Sequence, residues 1–231
     1  MKTAWLRKEG SRELLLFFSG WGMDQRIASH LLVESIPSGF DGDLLAFHDY
    51  RTLELEPSLC LELARYGRTT LIAWSFGVWA AAQAGIEHVD RALAVNGTLH
   101  PVHARFGIAP ELFQATLATY SEEQRPRFNR RMCGTREALD LLSSIAPLRS
   151  ALDQQEELRE LDAALCLRKA KAPKKNWQYT HALIGGRDNI FPAGQQFAAW
   201  RGVPQTVISD MPHFPFCHFA NFQELLACIS L

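Results

Sequence analysis

Short runs of consecutive apolar residues alternate along the chain with stretches in which apolar residues recur every three or four positions. An uninterrupted apolar run of this length is typical of a strand buried on both faces, and the wider spacing predicts amphipathic helices. The runs predict core strands at 14–18, 44–47, 69–74, 91–95, 180–184 and 205–208. Strands that alternate with helices in this way predict a mostly parallel sheet with helices on both faces.

Helices are predicted between the strands and at the end of the chain. They cover 27–33, 59–66, 78–83 and 222–229. Gly67 follows the second of them in the position of a left-handed residue that ends a helix. Asn221 and Glu224 are spaced to cap the last one. The segment 3–7 predicts a short antiparallel strand at one edge of the sheet.

A long interval of the sequence interrupts this alternation. No strand-like run occurs from 101 to 175, whereas Pro110 and Pro126 stand where first helical turns would begin. A long helix is predicted over 150–170, and the basic segment Lys169–Lys175 then leads back to the sheet as a solvated linker. We therefore predict a core made of residues 1–99 and 176–231, with residues 100–175 inserted as a helical lid.

One predicted strand ends at a serine that a helix follows at once. Ser75 stands between the runs 69–74 and 78–83, with Ala73 and Gly77 two places to either side. A sharp strand-to-helix turn strains the residue at its apex and lifts the hydroxyl above the sheet, where only small neighbours fit. The pattern predicts a nucleophile elbow, with alanine in place of the usual first glycine. The alternative is an ordinary turn that contains a serine.

A serine hydroxyl is a useful nucleophile only when a base takes its proton and a carboxylate orients that base. Asp188 follows one late strand in a glycine turn, and His213 follows the last strand in the loop before the final helix. The chain order Ser75, Asp188, His213 is that of α/β-hydrolases. We predict these three as the catalytic residues. His218 is the alternative base and Asp210 the alternative acid.

Acyl transfer also needs N–H donors for the developing oxyanion. One donor is expected from the residue after the nucleophile, Phe76, and the other from the glycine turn after the first core strand. In that turn Trp21 lies between Gly20 and Gly22, which allow the backbone to approach a substrate closely. We predict Trp21 and Phe76 as the oxyanion hole and the Trp21 side chain as part of the acyl pocket. An ordinary strand-end turn is the alternative.

Composition narrows the class of protein further. The chain has 231 residues, of which 47% are hydrophobic, and a formal net charge of −1. It is long enough for one large α/β domain, and its charge gives no general attraction to nucleic acid. No apolar run is long enough to cross a membrane, and the first residues lack the apolar centre of a signal peptide. Five scattered cysteines without a CxxC pair favour reduced thiols in the cytoplasm, with no disulfide framework and no metal site.

Five segments of the sequence together resemble one known family. They are FFSGWGMD at 17–24, AWSFG at 73–77, NGT at 96–98, GRDNIFP at 186–192 and PHFPF at 212–216. In this combination nearly the whole chain resembles the BioG family, the pimeloyl-[acyl-carrier protein] methyl ester esterases of biotin synthesis. It resembles the BioH esterases more distantly. In those the serine turn usually starts with Gly and the oxyanion turn with His-Gly, so Ala73 and Ser19 favour BioG.

The resemblance implies Ser75 as nucleophile, Asp188 and His213 as its partners, and Trp21 and Phe76 as oxyanion donors. The implied reaction is hydrolysis of the terminal methyl ester of pimeloyl-carrier protein through an acyl-enzyme. This reaction needs no metal or cofactor, and it frees the pimeloyl carboxylate for biotin synthesis. The implied partner is an acyl carrier protein.

Three arginines suit an acidic carrier protein as partner. Arg127, Arg130 and Arg131 are spaced i, i+3 and i+4, and therefore share one face of a predicted lid helix. We predict that this face contributes to binding of the carrier-linked substrate. The alternative is a solvated basic face without a partner, in which case the carrier could dock on the basic linker.

Two other functions are compatible with the same residues. One is a carboxylesterase or thioesterase of unknown acyl substrate, which the predicted triad cannot distinguish from a methyl esterase. The other is a binding protein that uses a hydrolase fold without catalysis, against which the complete triad argues. A dehalogenase is disfavoured because the elbow carries Ser75 in place of an aspartate.

Overall fold

A seven-stranded sheet forms the centre of the computed structural model, which describes residues 1–168 and 176–228. The predicted linker Lys169–Lys175 and Ile229, the last residue of the predicted terminal helix, lie outside the described residues. The strands are β1 (Lys2–Arg7), β2 (Glu13–Phe18), β3 (Asp43–His48), β4 (Arg68–Trp74), β5 (Arg91–Val95), β6 (His181–Gly185) and β7 (Gln205–Ile208). Their order across the sheet is β1-β3-β2-β4-β5-β6-β7.

Helices lie between the strands and flank the sheet. In the described part of the chain they are α1 (Arg26–Ser35), α2 (Pro57–Leu63), α3 (Phe76–Gln83), α4 (Pro110–Thr119), α5 (Arg125–Cys133), α6 (Arg136–Ser144), α7 (Ala151–Arg168), α8 (Ala193–Ala199) and α9 (Phe222–Ala227). Within the ranges that the structure describes, no helix has the length and apolar character needed to span a membrane.

The sheet is parallel except at one edge. β1 runs antiparallel to β3, and all other neighbouring strands are parallel. All six residues of β3 are buried, although successive side chains of a strand point to opposite faces. Both faces of the sheet are therefore covered at this point. The predicted α/β fold with an antiparallel edge strand is confirmed.

The four helices α4 to α7 lie between β5 and β6, as the absence of strand-like runs predicts. Pro110 opens α4, and Pro126 lies in the first turn of α5. Gly134 ends α5 in the left-handed conformation, with φ of 68°. That residues 100–175 act as a lid stays a prediction.

Two local predictions differ from the structure. The second helix ends at Leu63, before Gly67, whose φ is not positive. The Gly67 N–H instead donates to the carbonyl of Arg12, at 2.9 Å, because the chain here already turns into β4. The helix α8 was not predicted. Its glycine and paired glutamines give no clear amphipathic pattern over only seven residues.

The capping prediction at the last helix is confirmed. The Asn221 side chain accepts from the Glu224 N–H at 2.9 Å, and the Glu224 carboxylate accepts from the Ala220 N–H at 2.8 Å. The first bond satisfies a donor in the first turn of α9, and the second ties that turn to the residue before the cap.

Candidate active site

Ser75 occupies a sharp turn between the end of β4 and the start of α3. Its backbone angles are φ 59° and ψ −127°, a conformation that L-residues rarely adopt. The turn also brings α3 close to the end of β2. A Cβ atom on Gly77 would lie 2.5 Å from the carbonyl oxygen of Ser19 and 2.6 Å from that of Phe18. The predicted elbow is therefore present, and its crowding explains why a glycine stands at 77.

The structure brings the three predicted catalytic residues together. His213 Nε2 lies 2.9 Å from Ser75 Oγ, and His213 Nδ1 lies 2.8 Å from Asp188 Oδ2. All three residues are buried. With its Nδ1–H donated to the carboxylate, the imidazole presents Nε2 as the acceptor for the serine proton. This arrangement has the geometry needed to activate the hydroxyl.

The carboxylate of Asp188 is held by donors from its own loop and from α8. Its Oδ1 accepts from the N–H groups of Ile190 and Phe191, both at 2.8 Å. Its Oδ2 also accepts from Gln196 Nε2 at 3.1 Å. Gln196 is completely buried and bonds to the Phe191 carbonyl as well. These hydrogen bonds fix the position of the carboxylate oxygen that faces His213.

Asn96 connects the ends of two strands to the histidine loop. Its Nδ2 donates to the carbonyls of Pro212, at 2.8 Å, and His213, at 3.0 Å. Its Oδ1 accepts from the Gly185 N–H at 2.7 Å. The Trp74 indole donates to the same His213 carbonyl at 2.9 Å. The sequence marked Asn96 only as part of a family resemblance, and its contacts show that it anchors the backbone of His213.

The alternative base and acid lie against each other. His218 Nε2 is 3.6 Å from Asp210 Oδ1, and the Asp210 side chain is 67% exposed. The hydrogen bonds to the serine hydroxyl and the buried carboxylate come instead from His213. The geometry therefore favours His213 over His218.

The predicted oxyanion donors flank the serine. Trp21 and Phe76 line one cavity with Ser75 and His213. Within the part of the chain that the structure describes, neither backbone N–H donates a hydrogen bond. A glycine at position 20 lets this turn pack closely against the elbow, because a Cβ atom there would lie 2.9 Å from the Trp74 ring. Two N–H groups are thus available beside the nucleophile.

The cavity at Ser75 is narrow, about 30 Å³, and mostly apolar. Its apolar walls suit an acyl chain. The guanidinium of Arg131 is the charged group among the lining side chains. The lining side chains include Trp74, Ile108, Phe113, Thr116, Phe128, Arg131, Met132, Leu158 and Ile190.

A second, larger groove of about 410 Å³ runs between α4 and α5. Thr116, Phe128 and Arg131 line both this groove and the cavity at Ser75. Arg127 lines the groove but not the cavity, whereas Arg130 lines neither of them. Desolvation lowers the pKa of the Arg131 guanidinium, and the nearby charge of Arg127 adds to this effect. The three arginines that the spacing places on one helix face therefore differ in their position relative to the cavity and the groove.

No group of three histidine, cysteine, aspartate or glutamate side chains suited to a metal ion occurs in the described ranges.

Comparisons with known proteins identify the family and the fold of this chain. The family model described as Pimeloyl-ACP methyl esterase BioG matches residues 1–225. The crystal structure of BioG from Haemophilus influenzae superposes with a TM-score of 0.84 at 29% identity, over 97% of this chain and 99% of that one. The enol-lactonase from Burkholderia xenovorans, at 13% identity and a TM-score of 0.66, covers 99% of this chain and 95% of its own, and shares the fold alone.

A curated relative is longer than this chain. The malonyl-[acyl-carrier protein] O-methyltransferase of Bacteroides fragilis is 36% identical over 193 residues, which are 82% of this chain. The chain spans only 37% of the length of that relative. The family model, in contrast, matches nearly the whole chain, with the elbow, Asp188 and His213 inside the match. The chain belongs to the BioG family of pimeloyl-ACP methyl esterases.

Proposed function

We propose that this protein is a serine esterase that hydrolyses the terminal methyl ester of pimeloyl-[acyl-carrier protein], with Ser75, His213 and Asp188 as the catalytic residues. One observation carries the proposal. In a chain of the BioG family, a strained serine, a histidine and a buried carboxylate form one continuous line of hydrogen bonds. The product is the free pimeloyl carboxylate, still attached to its carrier, which biotin synthesis requires.

The acylation half of the reaction begins at His213 Nε2, which takes the proton of Ser75 Oγ. The serine oxygen then attacks the methyl ester carbonyl, and the negative charge moves to the carbonyl oxygen. The N–H groups of Trp21 and Phe76 donate to this oxyanion, which is stabilised more than the neutral ester. Collapse of the tetrahedral species breaks the bond to the methoxy group. His213 returns the proton, and methanol leaves.

Deacylation repeats these steps with water as the nucleophile. His213 takes a proton from the water, which attacks the acyl-enzyme carbonyl, and the same two N–H groups hold the oxyanion. The Ser75 oxygen leaves with the proton from His213, and the carboxylic acid is released. Asp188 orients His213 and stabilises the imidazolium that forms in each half.

The direct test is to incubate the purified protein with pimeloyl-carrier protein methyl ester and to weigh the product by mass spectrometry. We expect the mass to fall by one methylene group, because a methyl ester becomes an acid while the thioester stays intact. Loss of the whole acyl group from the carrier would show a thioesterase instead. An unchanged mass, together with no labelling of Ser75 by a fluorophosphonate, would indicate a binding protein.

An acidic acyl carrier protein is the partner that we propose. Residues 100–175 act as a lid in this proposal, and the groove between α4 and α5 shares three lining residues with the cavity at Ser75. The carrier's flexible arm would follow this groove, with its acyl end among the apolar walls of the cavity. Arg127 lies at the groove, and Arg130 lies one turn further along α5. Both would attract acidic helices of the carrier.

Reversal of charge at this face should weaken use of the carrier-linked substrate. The double variant Arg127→Glu/Arg130→Glu should raise KM for that substrate, because each exposed contact contributes about 0.2–1 kcal/mol and reversal adds repulsion. The effect should shrink as salt rises, since exposed charges are screened over roughly 8–10 Å. Steady-state kinetics at two salt concentrations measures both. Arg131 is left unchanged because it also lines the catalytic cavity.

Two controls separate recruitment from chemistry. Turnover of a small p-nitrophenyl ester should hardly change, because that substrate does not contact the outer face of α5. Arg136→Glu reverses an arginine that is 93% exposed on the neighbouring helix and should leave KM unchanged. If the double variant had the same KM as Arg136→Glu, the carrier would dock elsewhere.

The methyl transfer named for the Bacteroides relative is not part of this proposal. Most of that relative lies outside the match. A serine hydrogen-bonded to a histidine and a carboxylate supplies acyl transfer to water, which removes a methyl ester. A cytoplasmic location, where reduced cysteines persist, is proposed with it.

A further inference from the structure

The turn that contains Trp21 is held from behind by the helix α7. The Gly22 N–H donates to Glu157 Oε2 at 3.1 Å, and the Gly22 carbonyl accepts from Gln154 Nε2 at 2.7 Å. The Trp21 indole Nε1 donates to the backbone carbonyl of Gln154 at 2.7 Å. Both polar groups of one glycine and the neighbouring side chain are thus bonded to two residues of a single helix turn.

The two α7 residues are themselves firmly held. Glu157 is completely buried, with Arg149 Nη1 2.6 Å from its Oε2 and the Tyr50 N–H 2.8 Å from its Oε1. Gln154 is buried and accepts at Oε1 from the hydroxyl of Tyr120 at 2.8 Å. A buried carboxylate is costly unless it is paired and hydrogen-bonded, and Glu157 has both kinds of partner. Arg149 and Tyr50 therefore fix the carboxylate to which the Gly22 N–H donates.

The backbone hydrogen bond that closes this turn is long, from the Met23 N–H to the Gly20 carbonyl at 3.4 Å, so the contacts from α7 add to its definition. Gly22 has φ of 77°, a conformation that glycine reaches without a side chain to restrict it. An oxyanion hole works only if its donors are already aimed at the developing charge, so that no reorganisation is needed during the reaction. A shift of the Gly22 N–H would also move the Trp21 N–H, which lies one residue earlier in the chain.

We propose that Gln154 and Glu157 are positioning residues for the oxyanion hole, which they keep in place through the Gly22 peptide and the Trp21 indole. The inference rests on the proposed function, because it takes Trp21 N–H as an oxyanion donor. Within the proposed lid, α7 would then be the part that stays in place, because the oxyanion turn would lose three hydrogen bonds if this helix moved away.

The test compares two neighbouring glutamines on α7. Gln154→Met removes the amide that holds Gly22. Gln155→Met is the matched control, because Gln155 Nε2 also donates to a backbone carbonyl, that of Leu117 at 3.2 Å, but on α4 and away from the turn. For a p-nitrophenyl ester, Gln154→Met should lower kcat by about 10- to 100-fold with little change in KM. This is less than the roughly 10²–10³-fold loss typical of a deleted oxyanion donor.

A merely structural role would give a different set of measurements. If Gln154 positions the oxyanion donors, affinity for a trifluoromethyl ketone should fall in parallel with kcat, because Ser75 adds to its carbonyl and creates an oxyanion in the same place. Gln155→Met should keep both quantities, even if both variants lower Tm equally. Equal kcat in the two variants, or a change in KM alone, would overturn the inference.

Two further measurements cover a variant that fails to fold. Glu157→Gln keeps the size of the side chain but removes its charge and one acceptor, and it should show the same loss of kcat. In the unchanged protein, amide hydrogen exchange at Gly22 should be slow. Exchange as fast as in an exposed loop would contradict the proposed role of the hydrogen bond from Gly22 to Glu157. Failure of the proposed function is a separate outcome, seen as no ester hydrolysis by the unchanged protein.

Discussion

Ser75→Ala should abolish ester hydrolysis while the protein stays folded. The variant lacks the oxygen that forms the acyl-enzyme, and kcat for a p-nitrophenyl ester should fall by about 10⁴- to 10⁶-fold, as for the nucleophile of other serine hydrolases. The alanine Cβ occupies the place of the serine Cβ, and both residues tolerate the φ of 59° equally. One side-chain hydrogen bond, to His213, is lost. Thermal unfolding should therefore change by only a few degrees.

A second serine on the helical segment provides the control for this variant. Ser143 lies on α6, where its hydroxyl donates to the Leu139 carbonyl at 2.6 Å. Ser143→Ala removes one hydroxyl and one hydrogen bond, as Ser75→Ala does, and should keep full activity. Near-normal turnover by Ser75→Ala would show that the nucleophile is another residue.

His213→Ala should have an effect of similar size, about 10⁴- to 10⁶-fold in kcat, because it removes the ring nitrogen that lies 2.9 Å from the serine hydroxyl and takes its proton. His218→Ala is the matched control: it removes the same side chain from the same loop region, where it faces Asp210. This variant should retain its activity. Parallel assays of the two variants on one ester, with circular dichroism to verify folding, separate the two histidines. An inactive His218→Ala beside an active His213→Ala would reassign the base.

Asp188→Asn should cost somewhat less, about 10⁴-fold, because the histidine remains but its tautomer is no longer selected. The asparagine oxygen can still accept from the N–H groups of Ile190 and Phe191. The loop should therefore keep its shape, and the loss should appear in kcat more than in Tm. A variant that unfolds at low temperature would instead show that Asp188 mainly supports the loop.

Local patterns predicted the elements that form the candidate site. The elbow was predicted from an apolar run, a serine and two small neighbours within nine residues. Steric constraints between residues so close in the chain can be recognised from the sequence. The proximity of Ser75, Asp188 and His213 could also be predicted, because each follows a predicted strand and the carboxyl ends of parallel strands lie at one edge of a sheet. The bounds of β5 and β7 agree with their predicted ranges.

Contacts made across the fold were harder to predict. Gln196 reaches Asp188 from a helix whose seven residues carry no clear period, so the sequence did not mark it. Gly67 was assigned to the end of a helix because glycine is common there, but its N–H pairs with Arg12, 55 positions earlier, in the same turn that starts β4. In both cases a tertiary hydrogen bond decided what the local pattern left open.

The sequence by itself determined the α/β order, the elbow at Ser75 and the membership of the BioG family, since each depends on residues close together in the chain or on motifs in a set order. The tertiary structure alone decided which groups support the site. Glu157 lies 135 positions from Gly22, and only folding brings the two together. A glutamate on a helix predicts a solvated face, and its complete burial depends on the partners that the packing of α7 supplies.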